Sequence, residues 1–549
     1  MAPKPASPTD LSNDDDQNLD TQRRSIKLAA AAAAAGARAK GAPVELSRTA
    51  TNNEEDVGVS NMASRVTIDK PMISRRAANM NSQTSLNSAF SQESLPEEEI
   101  LPPKNIKIPH DVVYTRCCHL REILPIPATL KQLKKGSTDP IPLLQLRNPR
   151  PSMVEVWSFS DFLSIAPVLC LSLDGVTLSV EMLRVILGSL VYKKNFEKLS
   201  LRNTPLDHEG WRFLCCFVSR AKSLTALDLT MVPIIKTNVQ KPSKSSLKSS
   251  VVRMECDVES RKDMNWNLLA ASVAKKGGLE EVIISGAQMP LDQFENFIEV
   301  ACIATQRLGL AYNCLTKEQC DVLGRWIVQS KVTGLDIGFN DLKGKLAAFN
   351  NAVLDKIHNK GEKNVFKYIS MNCAGLEVGP EDTSENNEVL KLISVLCYCE
   401  NLKFLDFSNN PKMFPHCMST LIDCLPVFVN LVRLHLDYDS LSSTEIVMLA
   451  EALPLCSRLN YLSLLGTQFD LASCKSLAEA VRKSPSLITL DIDYTNMPPN
   501  IKEKISLYTM RNVESELDKV KANNTDNSTD DKDNLSSLQD ELSVLLTDK

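Results

Sequence analysis

Two groups of three segments recur at intervals of 28 residues, and this periodicity constrains the fold more than any other feature of the chain. The unit places apolar residues at positions 0, 3, 5 and 10, as in Val168, Leu171, Leu173 and Leu178. Phe196, Leu199, Leu201 and Leu206 follow, then Leu224, Leu227, Leu229 and Ile234. The register returns with units starting at Leu431, Leu459 and Leu487. Units starting at Leu279, Thr305, Val332, Phe366 and Leu402 fill the interval and bring the count to eleven. Apolar, any, any, apolar, any, apolar puts alternate side chains of a short strand on one face. The second half of each unit spaces its apolar residues as a helix does, for example Met182, Leu183, Ile186, Leu187 and Leu190. A strand plus a helix of this size cannot bury its apolar face alone. Stacking neighbouring units does so continuously.

This α/β unit resembles the leucine-rich repeat of the ribonuclease-inhibitor type. The resemblance implies a leucine-rich-repeat solenoid, a horseshoe of about eleven repeats over residues 166–510. The asparagine expected at position 8 is present as Asn313, Asn340 and Asn410. Its amide would serve the backbone of the turn. Elsewhere that place holds Thr204, Thr467, Thr495, Asp439, Val176 or Val232, so several turns must close differently. The interval from Leu224 to Leu279 is about two units long and contains an inserted loop at 236–262, basic and Ser-rich at its start.

Residues 1–100 contain no Trp, Tyr or Cys, and their one aromatic is Phe90. Such a segment cannot bury enough apolar surface to offset its ordering entropy, which predicts a disordered regulatory arm. The end, 523–549, is acidic and predicts a second disordered arm, with Leu535, Leu538, Leu542 and Leu545 as an alternative docking helix. Residues 101–165 are apolar and precede the repeats, and are read as an N-terminal cap. A C-terminal capping helix is expected at 511–522.

The run Met1–Asp20 has no apolar core of the signal-peptide kind, and the alanines of Ala29–Ala35 are too few to span a bilayer. A soluble, cytoplasmic protein is expected. With 62 basic and 67 acidic residues the net charge is −5, which gives no reason to expect a general nucleic-acid binder. The sixteen cysteines lack the spacing of a disulfide scaffold or a zinc site, so no metal and no cofactor are expected. Enzyme motifs are absent. Gly338 to Gly344-Lys345-Leu346 imitates a phosphate loop but has five residues between the glycines and no Ser or Thr for magnesium. The expectation is a protein that is not an enzyme.

Positions 4 and 7 of each unit are expected to point away from the core on the concave face. Position 4 supplies Asp336, Asp406 and Asp491; position 7 supplies Tyr312, Phe339, Tyr438 and Tyr494. Solvent-facing aromatics on such a face are suited to anchor a partner protein, and adjacent carboxylates would favour a basic one. In the N-terminal arm, Arg65-Val66-Thr67-Ile68 resembles the short docking motif for protein phosphatase 1, with Ile68 where that motif has an aromatic. Basic residues beside Ser and Thr, as at Arg23-Arg24-Ser25, mark candidate phosphorylation sites.

The runs Ile106–Leu133 and Pro140–Leu163, followed by the repeats, resemble fungal leucine-rich-repeat proteins related to regulatory subunits of protein phosphatase 1. The resemblance implies a non-catalytic, phosphatase-regulating or scaffolding role; the expectation is a scaffold that binds and regulates or targets the protein phosphatase 1 catalytic subunit and holds a second, unknown protein, with no small-molecule substrate, no membrane and little place for nucleic acid. Two alternatives are a GTPase-activating protein of the Ran type, which uses a similar number of repeats, and a ribosome- or RNA-associated factor that uses the basic loop.

Overall fold

The computed structural model describes residues 108–232, 261–359, 361 and 365–526, all within one compact unit. Among the described residues twelve strands form one parallel sheet in which every strand lies between its neighbours in sequence. They are β1 (Ile141–Gln145), β2 (Val168–Ser172), β3 (Lys198–Ser200), β4 (Ala226–Asp228), β5 (Glu281–Ile283) and β6 (Arg307–Gly309). The second half holds β7 (Gly334–Asp336), β8 (Tyr368–Ser370), β9 (Phe404–Asp406), β10 (Arg433–His435), β11 (Tyr461–Ser463) and β12 (Thr489–Asp491). This is the leucine-rich-repeat solenoid, with one strand more than the eleven units counted from the sequence. The additional strand, β1, lies in the segment read as a cap and pairs with β2 through Leu144 and Leu171.

The register explains why the apolar pattern is so regular. Position 3 of each unit sits opposite position 3 of the next: Leu171 to Leu199, Leu199 to Leu227, Leu308 to Leu335, Leu434 to Leu462. These residues are buried, as are the position 5 residues that follow each strand, from Leu173 through Leu310 to Leu464. Each unit therefore adds one layer to a continuous aliphatic core between the sheet and the helices, instead of enlarging one interior.

Helix starts are also set by the repeat. Position 11 is the N-cap in Ser152, Ser179, Asp207, Thr316, Ser442 and Asp470, each accepting a hydrogen bond from the backbone of the first helical turn. That bond satisfies a backbone donor that the helix itself cannot, and is worth about 1 kcal/mol. Asn340 shows how the turn before the helix is held. Its amide nitrogen donates to the carbonyls of Leu310, Ile337 and Gly338, and its oxygen accepts from the backbone of Asn313 and Leu315. Asn313 and Asn410 are used in the same way, and Thr204 makes a shorter version with one bond to the carbonyl of Leu173.

Both ends of the described solenoid are covered. Helix His110–Leu120 packs on Met153–Ile165, with Tyr114 edge-on to Phe162 at 5.4 Å. At the other end one helix runs Pro499–Asp526 and includes 511–522. Its Ile501 and Ile505 are buried, and Asn512 donates to the carbonyls of Ser484 and Leu487 at the base of the last unit. Most of the inserted loop 236–262 lies outside the described residues. Where the chain re-emerges, Arg261 is fully buried, bonds to the carbonyl of Thr204 and lies 5.7 Å from the centre of the Trp211 ring.

Candidate functional site: the open face of the sheet

The helices cover one face of the sheet and leave the other uncovered by any described element. Because position 3 points into the core, positions 2 and 4 point out of this open face. Position 2 makes a ladder of Lys198, Glu281 and Arg307 in the first half, and of Tyr368, Phe404, Arg433 and Tyr461 in the second, with Gly334 between them.

Glu281 ties the first half together. Lys198 reaches it across the Ala226 rung, and Arg307 Nε bonds to it at 2.7 Å. Burial alone would raise the Glu281 carboxyl, but the hydrogen bonds from Lys198 and Arg307 hold it below its ordinary value. The second half is aromatic. His435 lies 5.1 Å from Phe404 and stacks at 5.0 Å on Tyr461, while Arg433 lies over the Tyr461 ring at 5.3 Å. Tyr368 is 40% exposed, high for a large aromatic on a strand.

The residues singled out in the sequence fall into separate groups. Tyr312 and Phe339 belong to consecutive units and stack flat, with centres 4.1 Å apart. Both have positive φ, so they sit in the turn past the strand ends, at the rim of the face. Burial in that stack pushes the Tyr312 hydroxyl up to about 12. Tyr438 is 37% exposed three strands away from Phe339, and its ring lies on the next turn where Gly466 leaves room; a Cβ there would be 2.2 Å from the ring. Tyr494 packs against the final helix, with Lys502 Nζ 5.3 Å from its centre. The four aromatics therefore do not form one patch.

Asp336 and Asp406 turn back to accept hydrogen bonds from the backbone of Gly338 and Ser408 two residues on. Their carboxylates close turns; Asp406 is buried and Asp336 half-buried, and desolvation raises the Asp336 carboxyl. Asp491 is bonded by the Tyr461 hydroxyl. These carboxylates are engaged by the protein itself, which leaves them little to offer a basic partner. Arg65, Val66 and Ile68 lie outside the described residues, as does 527–549. Lys345, the residue of the false phosphate loop, donates to the carbonyls of Leu315 and Asp341 and has a structural role.

The sequence reading missed position 2 and a hollow in the middle of the face. Gly309 on β6 and Gly334 on β7 remove two outward side chains from adjacent strands. They floor a cavity of about 700 Å³, walled by Ile283, Tyr368 and Phe404, with Arg307, Lys403 and Arg433 on one rim and Asp336 and Ser370 on the other. The signal was present in the sequence, since glycine in a strand interior weakens it and often marks close approach by another molecule. Among the described residues no cluster of metal-ligating side chains occurs, and no helix is long and apolar enough to cross a membrane. The described cysteines are free, and burial raises most of their thiols, for example Cys302 to about 12.

Comparison with known proteins places this architecture. The MHP1/HER1/GIP3 LRR domain matches residues 110–467. MAP-homologous protein 1 of Saccharomyces cerevisiae is 69% identical over 93% of the chain, and HMG2-induced ER-remodeling protein 1 of the same yeast is 30% identical over 74% of it. The chain spans 37% and 33% of those two proteins, about a third of their length. Among solved structures, the yeast Rad7 and Elc1 complex aligns with 71% of the chain and 90% of its own at a TM-score of 0.39 and 14% identity. An internalin of Listeria monocytogenes aligns with 72% of the chain at 0.29 and 11%.

Proposed function

The chain belongs to the MHP1/HER1/GIP3 leucine-rich-repeat domain family, and from that premise we propose that it is a non-catalytic protein-interaction scaffold whose docking surface is the open face of the sheet. The observation that carries this reading is the second half of the position 2 ladder. Tyr368, Phe404, Arg433 and Tyr461 are the residue types that dominate binding energy at protein interfaces, held side by side on rigid strands. Solenoids present such extended surfaces because each repeat adds one rung to them.

The partner we propose is the protein phosphatase 1 catalytic subunit, docked through Arg65-Val66-Thr67-Ile68, with a second protein on the open face. Support for the phosphatase is the likeness of this tetrapeptide to a phosphatase-docking motif. A chain that holds two proteins at once raises the effective concentration of each near the other without any new contact. Co-elution of the full chain with purified phosphatase 1 catalytic subunit in size-exclusion chromatography tests this. The complex is expected with the natural sequence and lost in the Val66→Ala, Ile68→Ala double variant. No co-elution of the natural chain would remove the phosphatase from the account and leave the open-face surface to be tested separately.

A further inference from the structure

The hollow over Gly309 and Gly334 specifies what kind of segment the open face accepts. Neither glycine has the positive φ that would demand its residue type for backbone reasons. A Cβ at Gly334 would meet only side chains, Arg307 Cγ at 3.2 Å and Tyr368 Cβ at 3.6 Å. Gly334 could therefore hold a larger residue with a small shift of the Arg307 stem, and strand stability would favour one, whereas a Cβ at Gly309 would come within 2.9 Å of Ile283 Cγ2. What the glycines provide is a recess between the Ile283 wall on one side and the Tyr368 and Phe404 rings on the other, deep enough for one large apolar side chain.

The charges around the recess are unequal. On one rim Glu281 is already matched by both Lys198 and Arg307, so it offers no net attraction to a cation. Beyond it, Lys403 and Arg433 line the same rim, and neither forms an ion pair among the described residues; Arg433 faces only the Tyr461 ring. On the opposite rim the Asp336 carboxylate is held by the backbone of Gly338. The cations of Lys403 and Arg433 are thus the unmatched charges beside an apolar hole.

We propose that this recess is a docking site for an acidic segment of a partner protein, with one aromatic or long aliphatic side chain seated over Gly309 and Gly334 and its flanking carboxylates against Lys403 and Arg433. This deepens the open-face reading and rests on it. An anchor in a desolvated pocket supplies most of the affinity, and the charged rim supplies orientation and association rate.

The test uses the full chain and a fluorescein-labelled peptide with a central tryptophan flanked on each side by two glutamates. Control peptides replace the tryptophan with alanine or the glutamates with lysines. Saturable binding of the acidic tryptophan peptide is expected, and each control should bind about tenfold more weakly or worse, the loss of an anchor or of the charge match. Gly334→Val fills the recess, and the Lys403→Glu, Arg433→Glu double variant inverts the rim without touching the core. Both should retain the natural melting temperature to within a few degrees and lose the peptide. The double variant should now prefer the lysine peptide, an outcome that misfolding cannot produce. Unchanged binding in both variants, or equal binding of the lysine peptide to the natural chain, overturns the proposal. Tighter binding of a labelled polyuridine that the same variants abolish would also overturn it, in favour of nucleic acid. Lysine-directed crosslinks from Lys198 and Lys403 to a partner that persist in Gly334→Val would overturn the recess while leaving the open face in place. Crosslinks confined to the helix side would overturn both.

Discussion

Replacing Asp439 with asparagine should stabilise the protein at neutral pH and remove part of its pH dependence. Asp439 occupies position 8 of its unit, where Asn313, Asn340 and Asn410 each donate to two or more turn carbonyls. Its Oδ1 accepts from the backbone of Asn410, as an asparagine oxygen would. Its Oδ2 is buried without a partner, where the other units place an amide nitrogen. The side chain is 0% exposed, and burial pushes its carboxyl up to about 8. In the unfolded chain the same group ionises near its ordinary value of about 4. Between those values the folded state holds a proton that the unfolded state has released. Stability from this group is therefore greatest below about pH 4 and falls by about 1.4 kcal/mol per pH unit until about pH 8. The stability gain of Asp439→Asn over the natural chain should grow by about 4 kcal/mol from pH 5 to pH 8. The regained amide bonds add about 1 kcal/mol each at any pH. Urea denaturation of both proteins at the two pH values, followed by circular dichroism, measures this. A gain that is the same at pH 5 and pH 8, or a loss on substitution, would mean that the Asp439 carboxyl is not held protonated by its burial.

Three further outcomes follow from the same geometry. Asn340→Ala strips partners from several buried turn groups and should cost about 4 kcal/mol, read as a lowered urea midpoint. Asn512→Ala should cost about 2 kcal/mol and, more specifically, speed amide exchange in β12 while leaving β2 unchanged, because the lost bonds hold the last unit alone. Glu281→Gln should flatten the acid limb of the stability curve. The natural carboxyl is held below its ordinary value, so its contribution is full above the unfolded value of about 4 and is lost as pH falls through the lower folded value, which a comparison of melting at pH 6 and pH 3 detects.

The core was legible because its chemistry repeats. Leu171, Leu199 and Leu227 recur at one spacing since each must meet its neighbour across one parallel rung. Strand β1 obeys the same rule through Ile141, Leu144 and Leu146, with its cap at Ser152, but Pro151 stands at position 10 and hid the match. The binding face was harder to read because nothing forces outward positions to repeat. Asp336 and Asp406 looked like surface charges, yet a carboxylate beside a turn finds the backbone donor two residues on before it finds solvent or a partner. Lys198 and Glu281 meet across 83 residues, a pairing that depends on the insertion being looped out and that no local spacing reveals.

Partners of this chain are expected to meet it on the open face. Lysine-directed crosslinking of the full chain in complex with a purified co-eluting partner, read by mass spectrometry, tests it most directly. Crosslinks are expected through Lys198 and Lys403, which stand on or beside the strands of that face. Crosslinks confined to Lys275 and Lys475, on the helices of the opposite side, would contradict it.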